Sequence, residues 1–469
     1  MRSLFADAAL LPAGWRRNVR FDVGADGLLH DVVSGVEAPR AGDGPAGAIE
    51  RLRGPVLPGL VDLHSHGFQR AMAGLTERAG PAADSFWTWR QVMYRFLEWL
   101  SPDDIEAITA QVFVELLEHG YTAVAEFHYL HNDPDGQPYA DPAELSLRIV
   151  RAAEQAGIGL TLLPVLYRHS GFGGAEPTPG QRRFVLSVER YAALLATLHT
   201  HLQRLPHARL GTAPHSLRAV TPDELRDAIA ALDALDATAP IHLHIAEQEA
   251  EVSACLAWSN ARPVEWLLTR GPVQIGPRWC LVHATQTVAA EIDAMARSGA
   301  VVGLCPSTEA NLGDGIFSAA RFLAQGGRFG IGSDSNVCVD PFEELRLLEL
   351  AQRLIGRRRN VLTPGPDHSV GMTLLAAALR GGAQAAGQKT SELRPGQRAD
   401  LVVLDAEADG LLGRDGEALI DAAVFGPGRR LVRDVLYAGK WRVRDGRHVE
   451  RTAVRARFAQ TLQRLLSRS

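Results

Sequence analysis

Between residue 56 and about residue 390, eight short apolar or β-branched runs are each followed by a helix-length amphipathic segment. The runs are Val56–His66, Thr122–Tyr129, Gly159–Tyr167, Arg209–Ser216, Pro240–Glu247, Arg278–Thr285, Ala300–Ser307 and Arg328–Asp334. Strand-then-helix alternation sustained this long fits a (β/α)8 barrel better than an open doubly wound sheet. The two ends have a different texture: short strand-like runs with glycine turns, such as Val19–Val23 before Gly24–Gly27, and later Ala399–Asp405 and Val432–Trp441. The expected architecture is therefore α/β, a (β/α)8 TIM-like barrel over residues 58–390 with a small β-sandwich domain built from both termini, residues 1–57 and 391–450. Residues 451–469 hold a last amphipathic helix, Thr452–Leu466.

Composition narrows the function classes. The chain has 469 residues, 46% hydrophobic and 22% charged, enough apolar matter for one large barrel and a smaller domain. Its net charge of -5 is spread with both signs interspersed, which argues against nucleic acid or an anionic membrane as partner and for a small molecule. No apolar run reaches the roughly 18 residues a membrane span needs, and Asp7 interrupts the short apolar N-terminal segment, so a cytoplasmic location is expected. Cys255, Cys280, Cys305 and Cys338 lie far apart without CxxC spacing and read as free thiols.

In a barrel of this kind chemistry collects where strands end, and the conspicuous polar residues fall there. The first run closes on His64-Ser65-His66; strand side chains alternate faces, so both imidazoles point the same way and can share a metal ion. The fifth run, Ile241-His242-Leu243-His244-Ile245-Ala246-Glu247, repeats the pattern and adds a carboxylate just past the strand. The sixth ends on His283 and the eighth on Asp334, a carboxylate too far ahead of the helix expected near Pro341 to serve as its N-cap. Three or four histidines with one carboxylate suit Zn²⁺, which lowers the pKa of a bound water to about 7. Fe²⁺ or another divalent ion is compatible with the same donors. Phe86–Arg90 and Gly171–Gly174 are expected in loops after the first and third strands, where they would cover a pocket.

An HxH after the first strand, histidines after the fifth and sixth, an aspartate after the eighth and a β domain ending in Gly396–Leu404 resemble the amidohydrolase superfamily across nearly the whole chain. Dinuclear members bridge their metals with a carboxylated lysine. The only lysines here, Lys389 and Lys440, lie beyond the eighth strand, so the resemblance implies one metal, as in the deaminases of that superfamily. Further segments are similar to the formimidoylglutamate deiminase family: His64–Gly74, Ser85–Arg90, Ala125–Tyr129, His215–Val220, His244–Gln248 and Ser307–Gly315.

That resemblance implies a substrate, N-formimino-L-glutamate, with a cationic amidine at one end and two carboxylates at the other. It implies metal ligands His64, His66, His244 and Asp334, proton transfer by His283, Asp334 and Glu247, and Gln69 on the formimino nitrogen. Carboxylates call for the planar fork of arginine, which assigns Arg90 and Arg218 to the far end with Tyr129 and His215 beside them. A homodimer is implied as well. His128 is expected to pack behind the barrel wall, and His131 and His169 to lie in loops. Two other readings remain open: a mononuclear deaminase of an aminated purine or pyrimidine, and a catalytically inactive scaffold that would bind no stoichiometric metal.

Overall fold

The computed structural model describes residues 1–39, 49–78, 85–426 and 431–467. All eight runs hold strands: Leu60–Ser65, Tyr121–His128, Gly159–Leu166, Ala208–Leu210 with Ala213–Pro214, Ile241–Ile245, Trp279–His283, Val301–Leu304 and Arg328–Ile331. They pair in parallel as a five-stranded and a four-stranded sheet, with helices between successive strands. Two seams join the sheets. Thr212 pairs with Ile241 and Ser216 with His244, while Ser65 pairs with Asp334. At the second seam the His66 amide donates to the Asp334 carbonyl at 2.9 Å and the Asp334 amide to the His64 carbonyl at 2.8 Å. The result is a TIM-barrel-like α/β fold. Leu60–Ser65, Tyr121–His128 and Ile241–Ile245 are buried at every position, as strands covered on both faces require.

The first expected strand, Val56–His66, is divided. Val56–Pro58 runs antiparallel to Leu401–Leu404 in a separate sheet, and Leu60–Ser65 begins the parallel set. Gly59 makes the handover because a Cβ there would stand 2.1 Å from Thr122 Oγ1, a closeness only glycine tolerates. That separate sheet has nine strands. It runs from Arg447–His448 through Lys440–Arg444, Val432–Tyr437, Leu401–Leu404, Val56–Pro58, Arg2–Leu11 and Gly14–Val23 to Leu29–Ser34, with Glu50–Arg51 beside Arg2–Leu11. Strands from both ends of the chain thus share one hydrogen-bonded sheet with an apolar cluster of its own, including Leu4, Phe21, Val56 and Leu401.

The last helix, Arg451–Leu466, is anchored to helix Pro102–Glu118 by ion pairs Arg457–Glu106 and Arg464–Asp104. Helix Val370–Ala386 packs directly on the eighth strand: a Cβ on Gly381 would overlap the Phe329 carbonyl. No helix among the described residues is long and apolar enough to cross a membrane.

Candidate active site

The strand ends at one mouth of the parallel set carry an unusual run of left-handed backbone. Ala246 (φ 50°), His283 (φ 70°), Ala284 (φ 52°), Asp334 (φ 48°) and Asn336 (φ 59°) all adopt it without being glycine. Such conformations cost free energy and are kept where the surroundings hold them, commonly at functional sites. Here they turn the chain sharply as each strand ends and aim the side chains inward.

His64, His66 and His244 come together, as do His64, His283 and Asp334. The Nε2 atoms of His64 and His244 are 2.9 Å apart, and Asp334 Oδ1 stands 3.3 Å from His66 Nε2 and 3.6 Å from His64 Nε2. Two bonds of about 2.0–2.1 Å to a tetrahedral ion would place their donor atoms about 3.3 Å apart, so these donors fit one divalent metal. Burial holds all three imidazoles in the neutral form that ligates, with His66 pushed down to about 3. His66 is oriented by its Nδ1, which donates to the Phe127 carbonyl at 2.9 Å. Asn336 Nδ2 ties the seam by donating to Ser65 Oγ, the His66 carbonyl and the Asp334 carbonyl. His242 lies apart from this group, its Nε2 donating to the Ala385 carbonyl at 2.8 Å in the interior. The fifth strand therefore contributes one histidine to the cluster, and the nearby helix provides the partner that makes the other structural.

His283 stands between three carboxylates. Its Nε2 is 3.8 Å from Asp334 Oδ2 and 3.9 Å from Glu247 Oε1, while Nδ1 is 3.3 Å from Glu309 Oε1. Burial opposes a charge on His283, but Glu247, Glu309 and Asp334 overcome it and raise its pKa to about 10. Glu247 is raised to about 7, by burial against the pull of His283 and Arg218. Glu247, near 7 and a few ångströms from the histidine cluster, is poised to exchange a proton at neutral pH, whereas His283 among these carboxylates carries its proton.

At the other end of the pocket the residues are aromatic and cationic. Phe86–Arg90 lies in a helix, Phe86–Leu97, not in a loop. Ser85 caps its N-terminus by accepting from the Trp87 amide, and Thr88 returns a hydroxyl to the Ser85 amide. Arg90 rests 4.4 Å above the Trp87 ring, and Arg218 lies 5.9 Å from the same ring. The Nε atoms of both arginines are buried without a hydrogen-bond partner among the described residues. Gln69 donates to the Tyr129 hydroxyl at 2.9 Å, and its buried Oε1 is left without a partner there. His215 stacks edge-on against Tyr167 and His244; burial and Arg218 push its pKa down, so it is neutral.

Every candidate of the sequence reading, His64, His66, Gln69, Arg90, Tyr129, His215, Arg218, His244, Glu247, His283 and Asp334, is in or against this pocket. Gly171–Gly174 does not line it; Phe172 there stacks on Trp258. His128 and His131 are buried outside the pocket lining with their rings edge to face, and His169 pairs with Glu224 at 3.0 Å. The four cysteines are free thiols. Three supporting carboxylates escaped the sequence reading. Glu309 holds His283. Asp62 accepts from the Ser333 amide and hydroxyl and the His64 amide, and burial raises it to about 7. Glu251 accepts the amides of Ala246 and Glu247. Asp62 had a local signal: it shares the alternating face of His64 and His66, and a carboxylate inside an apolar strand needs partners.

The amidohydrolase family matches residues 56–442, and the N-terminal domain of formimidoylglutamate deiminase HutF matches residues 1–47. The chain is 56% identical over 468 residues to the formimidoylglutamate deiminase of Pseudomonas aeruginosa, covering 99% of this chain and 100% of that protein. It is 29% identical to the 8-oxoguanine deaminase of the same organism, over 90% of each chain. Among solved structures it is similar to an amidohydrolase from Brucella melitensis, with TM-score 0.92 and 47% identity over 99% of this chain and 100% of that one. An adenosine deaminase from Xanthomonas campestris with bound zinc has TM-score 0.80 at 22% identity over 99% and 98% of the two chains.

Proposed function

The chain belongs to the amidohydrolase family and, within it, to the formimidoylglutamate deiminases, and from that premise we propose how this pocket hydrolyses N-formimino-L-glutamate to N-formyl-L-glutamate and ammonia. The observation that carries the proposal is the polarity of the pocket. Metal donors and proton-transfer groups occupy one end, and at the other stand two guanidinium groups whose buried Nε atoms have no hydrogen-bond partner among the described residues, Arg218 Nε facing Glu251 Oε2 at 3.7 Å.

His64, His66, His244 and Asp334 would hold the metal, a single Zn²⁺ by the chemistry of three imidazoles and one carboxylate. Lys389 and Lys440 are exposed and line none of this pocket, which supports one ion over a lysine-bridged pair. When bound, the ion supplies a Lewis acid and lowers the pKa of water to about 7. With a divalent cation among the neighbouring donors to repel its proton, the His283 ring is neutral, and His283 and Asp334 then accept the proton of the attacking water. Glu247, ionised, pairs with the amidinium, takes up the remaining hydroxyl proton of the added water oxygen and delivers it to the departing nitrogen. Water oxygen bonds to the formimino carbon, the bond from that carbon to the terminal nitrogen breaks, and the nitrogen leaves as ammonia. Gln69 Oε1 accepts from a formimino N–H, and Tyr129 holds the amide that presents it. Arg90 and Arg218 take the carboxylates in charge-assisted pairs, with Trp87 keeping both guanidinium planes in place. His215, neutral, walls the pocket between the histidine cluster and Arg218.

The same reading takes the parallel strands as a closed (β/α)8 barrel, supported by the paired seams, and the nine-stranded sheet as a sandwich folded over its own apolar cluster. Ammonia release from N-formimino-L-glutamate, measured beside guanine, cytosine and adenosine derivatives, tests the substrate. Turnover of the formimino compound alone is expected; activity on a ring with none on the formimino compound would replace this reading with that of a nucleobase deaminase.

A further inference from the structure

Glu251 joins the two ends of the pocket. It lies in the first turn of helix Glu249–Ser259 with its side chain fully buried. Oε1 accepts the Ala246 amide at 3.0 Å, and Oε2 accepts the Glu247 amide at 3.3 Å. Oε2 also stands 3.7 Å from Nε of Arg218, the nearest charge of opposite sign to that guanidinium. Ala246 is one of the left-handed residues, so the turn that aims Glu247 is strained and needs an outside hold. A carboxylate accepting two successive amides supplies it. Because the same group faces Arg218, the separation between the proton-transfer end and the carboxylate-binding end is set by one buried side chain on a rigid helix.

We propose that Glu251 is a positioning residue that fixes Glu247 against Arg218, and so matches the pocket to the distance between the amidine and the carboxylates of its substrate. The proposal rests on the roles given above to Glu247 and Arg218. Glu251 touches no substrate; it acts through those two groups. Substituting glutamine keeps the volume, but only one oxygen remains to accept, and an amide N–H₂ then faces either the Glu247 amide and Arg218 or the Ala246 amide.

A double-mutant cycle tests the link. Glu251→Gln is expected to lower kcat and raise KM for N-formimino-L-glutamate, each about tenfold, since sub-ångström misplacement of reacting groups carries penalties of that order. In an Arg218→Met background the kcat loss should persist at about tenfold, whereas KM should not rise further, because the guanidinium that Glu251 orients is gone. Metal content and melting temperature are read on the same preparations. If Glu251→Gln does not accumulate as folded, metal-loaded protein, Glu251→Asp, which keeps the charge but shortens the reach, should give the same pattern with smaller factors. A KM effect of equal size in both backgrounds, or an unchanged kcat, overturns the proposal. An unsubstituted enzyme that does not release ammonia from N-formimino-L-glutamate would instead overturn the substrate reading, which separates the two failures.

Discussion

Nδ1 of His283 lies 3.3 Å from Glu309 Oε1, and the same oxygen accepts the Cys305 amide at 2.9 Å. With Nδ1–H directed at a fixed carboxylate, His283 presents Nε2 to the pocket and to Asp334. Residues that orient an imidazole beside a metal typically contribute 10–100-fold to activity. Glu309→Ala is therefore expected to lower kcat by about that factor while one equivalent of metal stays bound, measured by steady-state kinetics and elemental analysis of one preparation. Loss of the metal together with the activity would place Glu309 in the metal shell instead.

Removing His283 or Glu247 themselves should be more severe. General acid–base groups contribute roughly 10²–10⁴-fold; Asp334, which shares the water's proton with His283 in this reading, also stands against the metal donors and does not replace the ring, and Glu309 faces the ring's other side. His283→Asn and Glu247→Gln should each reduce kcat by about a thousandfold and leave metal content and substrate affinity near those of the parent. A drop confined to KM would contradict their assignment to proton transfer.

What could be read from the sequence followed distance along the chain. Period-two alternation and the abrupt end of an apolar run are local patterns, and they found His64, His66, His244, His283 and Asp334. The same alternation could not separate His242 from His244, because what distinguishes them is a carbonyl at Ala385 on a helix far down the chain. Glu309 and Glu251 were invisible for a related reason: a helix carboxylate looks solvated until the packing shows which strand end it faces. The helix Phe86–Leu97 reads as a loop in the sequence because three of its first four residues, Phe86, Trp87 and Trp89, are aromatic, and its capping pair is Ser85 with Thr88 in place of the usual glutamate or glutamine. The divided first strand turned on Gly59, whose role depends on Thr122 across the interface.

The carboxylate end makes a separate prediction. Arg218 is 7% exposed, and the two arginines share one aromatic support in Trp87. Arg218→Met should raise KM for N-formimino-L-glutamate by about 10–100-fold, the 1.5–3 kcal/mol range of a charge-assisted hydrogen bond, with a smaller effect on kcat. Trp87→Ala, which leaves both cations unsupported, should weaken binding of the product N-formyl-L-glutamate as well, read by calorimetry. Unchanged affinity in both variants would move the carboxylates elsewhere in the pocket.

His448 predicts how stability depends on pH, away from the active site. It is buried where the terminal sheet meets helices Pro102–Glu118 and Glu144–Ala156; Nε2 donates to the Ala156 carbonyl at 2.9 Å and Nδ1 accepts the Glu450 amide at 3.0 Å, an arrangement only the neutral ring can make. Burial, with a smaller push from Arg442 and Arg451, lowers its pKa from 6.5 to about 4. The unfolded chain therefore binds this proton more readily than the folded one. The contribution of His448 to stability is complete above pH 6.5, falls as pH drops through the interval to about 4, and is flat below it, amounting to roughly 3 kcal/mol across that window. His448→Gln keeps a donor for the Ala156 carbonyl, gives up the acceptor for Glu450 and cannot titrate. Its melting temperature should lie below the parent's at pH 8, and the gap should close or reverse by pH 4.5. His131 and His242, lowered to about 4 by burial, titrate alike in both proteins and cancel from the difference. A constant gap across pH 4.5–8 would mean that His448 does not carry this acid sensitivity.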